Sequence, residues 1–300
     1  MIRKAFLIFF MLLVIYQLVV SYYLKNFHLH THQQQQNIIE AQEYIYSFSS
    51  SSVILGSSMS KRLNMEILHG IDNIAMNGGG VLTGLHIIEL SSNIPDTLYM
   101  EVSNVLFRPL DKAMIEGLEQ PLLFFLRKHF SMFREKNQPG IFLVWKSLRP
   151  LNYLFFTPAA QVLPTVHSTE VPKNDSVNFN VRAELAIKHK KEYDNLKDTA
   201  EWKNTLVEIR NTLKELEKRG VVIVLFEIPN DISIFESPRA RFIRDWVKRN
   251  LFQYPFKELT PSQVASYVTT DGAHLDGESA TRFSTYFNSH FRNSVKECAY

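Results

Sequence analysis

The chain has 300 residues, with 33 Lys+Arg against 30 Asp+Glu, 45% apolar residues, 12 Pro and 11 Gly. That apolar share supplies a packed core and excludes wholesale disorder, and a net charge of +3 gives no argument for a nucleic-acid partner. The one cysteine, Cys298, excludes an internal disulfide, a Cys-based zinc site and an iron–sulfur cluster.

Ala5 to Leu24 form an apolar run interrupted only by Gln17 and Ser21. About 20 apolar residues at 1.5 Å rise span a ~30 Å hydrocarbon core. Arg3 and Lys4 precede the run and Lys25 follows it, which favours N-in, C-out. A cleaved signal peptide has a shorter apolar core and ends in small residues, whereas this run ends Val-Ser-Tyr-Tyr-Leu. Residues 1–25 therefore read as an uncleaved signal anchor in a bacterial-type cytoplasmic membrane, with the remainder extracytoplasmic. Residues 26–52 read as a polar stalk containing a short helix from Asn37 to Phe48. His28, His30 and His32 alternate there, but no carboxylate or cysteine completes a metal site, and they read as spacer.

Residues 53–300 alternate short apolar runs with helical periodicity. Val53–Leu55, Ile71–Met76, Leu98–Ser103 and Val221–Ile228 read as strands, and Ala265–Val268 as a last one. Helices are expected at Met59–His69, Val81–Leu90, Arg182–Lys218 and Gly277–Phe291. Apolar strands separated by helices predict an α/β fold, a parallel sheet covered on both faces. An insert at about 107–181 breaks the pattern. It holds a helical stretch at Ile115–Phe133 with Pro121 near its start, and an aromatic stretch at Ile141–Phe156. Arg108–Arg149 carries eight Lys/Arg and four Asp/Glu, which suits a membrane-surface segment, a lid, or a second core layer with a basic rim.

Two familiar motifs fail. Gly78-Gly79-Gly80 lacks the Gly-Lys-Ser/Thr ending of a phosphate loop and, with Thr83 in the sixth position, the last glycine of a dinucleotide fingerprint. Gly56-Ser57-Ser58-Met59-Ser60 has serine where a nucleophile elbow needs glycine.

Strand C-terminal ends share one edge of a parallel sheet, where ligands bind. Three short segments fall there, and Asp271-Gly272-Ala273-His274 precedes the last helix. Together they supply the parts of serine acyl chemistry. Ser58 is the nucleophile, His274 its base, and Asp271 the group that orients the imidazole. The Ser58 N–H, the Gly78 N–H and the Asn104 side-chain amide are candidate oxyanion donors. Each also has a structural use: Ser58 as a helix cap, Gly78 as a positive-φ turn, Asn104 and Asp271 as turn residues. His69 and His86 read as surface or packing residues.

In these four blocks and their order the chain resembles the SGNH (GDSL-like) hydrolase superfamily: Ser58 in VILGSS, Gly78 in NIAMNG, Asn104 in EVSN, and Asp271 with His274 in D-x-x-H. With an N-terminal anchor it looks most like the membrane-tethered DltD-like and alginate-acetylation-like branch. It departs from the family pattern at three places. Ser57 stands for the usual aspartate beside the nucleophile, Glu101 for the block III glycine, and Val105 where aspartate is common. The resemblance implies a three-layer α/β/α fold and serine-dependent O-acyl transfer to, or removal from, a cell-envelope polysaccharide, the acyl group being acetyl. It implies no metal or organic cofactor, and as partners an acyl donor and a membrane acyltransferase. The alternative is a non-catalytic accessory protein that keeps the fold and binds a polymer or such an acyltransferase.

Overall fold

The computed structural model describes residues 2–23, 33–47, 50–138, 179–195 and 200–292. The histidines at 28–32, the aromatic stretch Ile141–Phe156 and Cys298 lie outside the described residues. The chain divides into two compact units. One comprises Met1–Ser47 with Lys112–His167, the other Phe48–Asp111 with Ser168–Tyr300.

In chain order the elements are α1 (Ile2–Tyr23), α2 (Gln33–Ser47), β1 (Ser52–Leu55), α3 (Ser58–Lys61), β2 (Ile71–Asn73), α4 (Val81–Leu90) and β3 (Thr97–Glu101). After these come α5 (Lys112–Glu119), α6 (Pro121–His129) and two single 3₁₀ turns, Ser131–Phe133 and Glu135–Asn137. The chain continues through α7 (Phe179–Asp194), α8 (Ala200–Lys218), β4 (Val222–Phe226), α9 (Ile232–Phe235), α10 (Pro238–Asn250), β5 (Phe256–Lys257), α11 (Pro261–Ala265) and α12 (Gly277–His290).

In the first unit, α1 has an 18-residue window, Ile2–Val19, with mean hydropathy 2.0 and no part of it buried. It is long and apolar enough to cross a membrane. The expected single helix over Ile115–Phe133 is instead two helices and a turn. Gln120 takes an extended ψ of 115° and Pro121 restarts the helix at its first position. A proline clashes with α geometry in the residue before it but is well placed at a helix start.

In the second unit the five strands are all parallel, in the order β2-β1-β3-β4-β5. Alternate side chains serve opposite faces. Ile54, Tyr99, Val224 and Phe226 join Phe283, Phe287 and Phe291 in one core cluster. On the other face, Leu55 lies so close to Gly84 of α4 that a Cβ there would meet Leu55 Cδ2 at 2.6 Å. The result is three layers, helix–sheet–helix. The order also makes β1 and β3 neighbours whose onward connections run in opposite directions. The crevice at their C-terminal ends is where ligands bind in such sheets.

Three further expectations are corrected. The helix read over Met59–His69 is only α3, closed at Arg62 by backbone bonds to Met59 and Ser60 carbonyls. The strand read at Ala265–Val268 is not one: Ala265 ends α11. Thr260 and Gln263 form a reciprocal capping box there, with Pro261 at the first position, so this stretch starts a helix. The fifth strand is the two-residue β5. The long helix Arg182–Lys218 is two helices, α7 and α8. The first ends at Asp194 and the second begins at Ala200.

Phe287 is fully buried, and its ring lies 5.1 Å from Tyr99, 5.0 Å from Phe226 and 5.0 Å from Phe291. Phe287→Ala is expected to destabilise the second unit by about 3–5 kcal/mol, the usual cost of a large core cavity. Urea unfolding of the detergent-solubilised chain measures it, and a loss below about 1 kcal/mol is inconsistent with this packing.

Candidate active site

Ser58 is the first residue of α3, directly beyond β1. The turn that carries it is built by its neighbours. Ser57, extended at φ −101° and ψ −169°, is the helix cap, and its Oγ accepts from the Met59 N–H at 3.2 Å. The capping role thus falls on Ser57, not Ser58.

Glu101 ends β3, the strand beside β1, and is fully buried. Its carboxylate accepts from the Ser57 N–H at 2.9 Å, the Ser57 hydroxyl at 2.8 Å and the Ser60 N–H at 3.2 Å. The Ser60 hydroxyl donates to it as well. Gly56 lets the carboxylate approach, because a Cβ there would overlap Glu101 Oε2 and Ser60 Oγ. The Lys61 N–H bonds to the Ser57 carbonyl at 3.1 Å. From Ser57 to Lys61, only the Ser58 N–H is taken by none of these acceptors. Ser57, Met59 and Ser60 are buried, whereas Ser58 is partly open. The turn therefore presents one hydroxyl and one amide, both of Ser58.

His274 and Asp271 come from the loop before α12. Ser58 Oγ lies 2.7 Å from His274 Nε2, and His274 Nδ1 lies 2.7 Å from Asp271 Oδ2. The other carboxylate oxygen, Asp271 Oδ1, accepts from the N–H groups of His274 at 2.8 Å and Ala273 at 3.0 Å. Burial alone raises the Asp271 pKa, but the hydrogen bonds and charge of His274, with the two N–H donors, outweigh it and hold the carboxyl well below the usual range. An ionised Asp271 only accepts, so it keeps the imidazole proton on Nδ1 and leaves Nε2 to accept from Ser58. The loop is itself fixed. Thr270 N–H donates to the His274 carbonyl at 2.8 Å, and Asp276 caps α12 by accepting from Ser279 N–H at 2.8 Å. Arg62, which closes α3, reaches Thr270 Oγ1 and the Leu275 carbonyl, each at 3.1 Å.

Gly78 follows β2 with φ +70°, a conformation that favours glycine, and nothing lies within 4 Å of where a Cβ would be. The Met76 N–H bonds to the Gly56 carbonyl at 3.0 Å and Met76 bridges to Ser57, which sets the Gly78 loop beside the Ser58 turn. Arg108 Nη1 holds this loop through the Gly79 carbonyl at 3.1 Å. Asn104 lies just beyond β3 and is buried, and its Oδ1 has no hydrogen-bond partner among the described residues. An asparagine kept for a turn bonds its own backbone, and this oxygen does not.

The structure thus brings Ser58, His274 and Asp271 into one hydrogen-bonded chain and sets Gly78 and Asn104 at the same sheet edge. Sequence reasoning noted Glu101 only as a departure from the block III glycine and did not single out Arg62. Their partners lie 41–44 and 208–213 residues away, so no local pattern announces them. His86 pairs with Glu208 at 3.0 Å, a half-exposed contact remote in kind from this chemistry. Among the described residues, no three or more His, Cys, Asp or Glu side chains are grouped to hold a metal ion. Comparison with family models, curated proteins and solved structures finds no match to the chain.

Two predictions follow from this geometry. Glu101→Ala strands four buried donors and is expected to destabilise by about 3–5 kcal/mol, whereas Glu101→Gln, which keeps an acceptor oxygen, costs clearly less. Urea unfolding of the two variants reads the difference, and equal losses count against the clamp. For Asp271, the folded pKa lies below the unfolded one. Its contribution is present above the unfolded value, about 4, and is lost as pH falls through the folded value. The stability gap between the wild type and Asp271→Asn should narrow as pH falls below about 4. A gap that widens on acidification contradicts the assigned hydrogen bonds.

Proposed function

We propose that the protein is a membrane-anchored, extracytoplasmic serine acyl-transfer enzyme of the SGNH type, which moves or removes an O-acyl group, acetyl in the first instance, on a cell-envelope polysaccharide. The observation that carries this reading is the chain Ser58 Oγ–His274 Nε2, His274 Nδ1–Asp271 Oδ2, with both links at 2.7 Å. Serine is a weak nucleophile until a base stands within hydrogen-bond reach.

In the first half-reaction Ser58 Oγ bonds to the acyl carbon while its proton passes to His274 Nε2. The donor's alkoxy oxygen then leaves with that proton. In the second, an acceptor hydroxyl gives its proton to His274, its oxygen bonds to the acyl carbon, and Ser58 Oγ departs and is reprotonated. Water as acceptor makes the outcome hydrolysis, and a sugar hydroxyl makes it transfer. Asp271, ionised throughout, stabilises the imidazolium. The Ser58 and Gly78 N–H groups and the Asn104 amide are the donors for the tetrahedral oxyanion.

Two of the departures from the family pattern are consistent with this reading. Ser57 and Glu101 stand where aspartate and glycine are usual, and they bond to each other at 2.8 Å and 2.9 Å. A carboxylate is absent from one side of the turn and present on the other. Taken singly these departures favour the accessory reading somewhat, and their mutual bonding weakens that argument. The apolar helix α1 fits single-pass anchoring, and the orientation rests on the flanking charges.

The test is covalent labelling with an activated serine probe. Wild type should label at Ser58, while Ser58→Ala and His274→Ala should not. Asn104→Ala should lower the acylation rate by about 10²–10³, or ~3–4 kcal/mol. Equal labelling of Ser58→Ala, or none of the wild type, returns the protein to the accessory class.

A further inference from the structure

Gln17 is a polar residue inside the apolar run of α1, and its partners are informative. Its Nε2 donates to Ser131 Oγ at 3.0 Å and its Oε1 accepts from the Met132 N–H at 3.0 Å. Tyr16, one residue earlier, donates its hydroxyl to the Asn137 carbonyl. These bonds fix the 3₁₀ turns at 131–137 to one level of α1. The apolar run ends between Val19 and Leu24. At 1.5 Å per residue, Gln17 lies about 3–10 Å inside that end. An amide side chain at that depth is costly unless bonded, and this segment bonds it.

Helix α6 leads directly into these turns. Its inner side is tied down: Arg127 is buried and donates to the Gly117 carbonyl at 2.8 Å, and Phe124 meets the Tyr46 ring of α2 at 5.5 Å. Its outer side is apolar where a water-facing helix is polar. Leu122 is 71% exposed, Phe125 55%, and Phe130, just past the helix, 43%. Leu122, Phe125 and His129 share a face at i, i+3, i+7, and Lys128 is exposed next to them.

We propose that α6 lies in the plane of the membrane interface, on the leaflet at the C-terminal end of α1. There Leu122, Phe125 and Phe130 enter the headgroup–acyl boundary and Lys128 faces lipid phosphate. Helices of this kind bury an apolar face about 5–10 Å into that boundary, the depth at which Gln17 holds the adjoining turn. The lipid contact makes α1 and α6 a two-point attachment, which restricts how the unit containing them tilts on its anchor.

The experiment uses the full chain in lipid nanodiscs with Cys298→Ser and a single new cysteine. Leu122→Cys and Phe125→Cys are compared with Glu116→Cys, an acidic, exposed position on α5. An environment-sensitive fluorophore at the first two should lose most of its emission to lipids carrying a nitroxide near the top of the acyl chain, while the label at Glu116 keeps its emission. A charged, water-soluble maleimide, which adds no apolar label, should react much more slowly at 122 and 125 than at 116. Equal quenching and equal reactivity at all three positions overturn the proposal. Protection of 122 and 125 in native membranes but not in nanodiscs also overturns it, and assigns the surface to a protein partner.

Discussion

The Glu101 carboxylate is the constraint on which the candidate site depends. A buried carboxylate loses several kcal/mol of hydration, and only good hydrogen bonds offset that. Here two N–H groups and two hydroxyls of the β1–α3 turn supply them. The exchange stabilises the charge and also settles where every donor in the turn points. Helices begin with amides that lack intrahelical partners. In α3 those of Met59 and Ser60 are satisfied by Ser57 Oγ and Glu101, and that of Lys61 by the Ser57 carbonyl. What remains is the Ser58 amide beside the Ser58 hydroxyl, the pair that acyl transfer needs. Gly56 belongs to the same device, since any side chain there would displace the carboxylate.

A second constraint acts from the far end of the chain. The His274 loop is shaped by its own bonds, and it is positioned by α12, whose Ser279 Oγ accepts from the Val268 N–H at 2.8 Å. The aromatic residues of α12 pack on the sheet face that Ile54, Tyr99 and Phe226 present. Arg62 ties the loop to the end of α3. Ser58 is thus set by strand–strand contacts, and His274 by helix–sheet packing. They meet only when both are in place.

The sequence was legible where one element carries its own signal. β1, β3 and β4 are apolar runs, and α4 and α12 begin and end where their periodicity says. Ser58, Gly78, Asp271 and His274 stand out because their types and order match a known chemistry. Legibility failed where tertiary contacts decide. β5 has two residues, Phe256 and Lys257, and no periodicity can be read from two. Ala265–Val268 reads as a strand, yet Thr260, Pro261 and Gln263 just before it dictate a helix that ends at Ala265. Glu101 stands out in the sequence only as a departure from the block III glycine. Nothing within its own segment says that four donors await it in the turn beyond the neighbouring strand.

That failure bears on how substitutions at such a site are judged. Taken one at a time, Glu101 is a buried carboxylate at the end of β3 and Ser57 a buried hydroxyl at the start of α3. Each alone is unfavourable without a partner. In the folded chain the two residues are partners, so their effects are coupled and cannot be added. A buried carboxylate needs donors, and a serine cap needs its hydroxyl hydrogen accepted. Ser57 and Glu101 meet both needs at once. On β3 the carboxylate is locked by neighbours on two sides, the Ser57 and Ser60 ends of one turn. Rigidity of the Ser58 amide then follows from the sheet itself, because β1 and β3 are hydrogen-bonded along their length up to Leu55 and Met100.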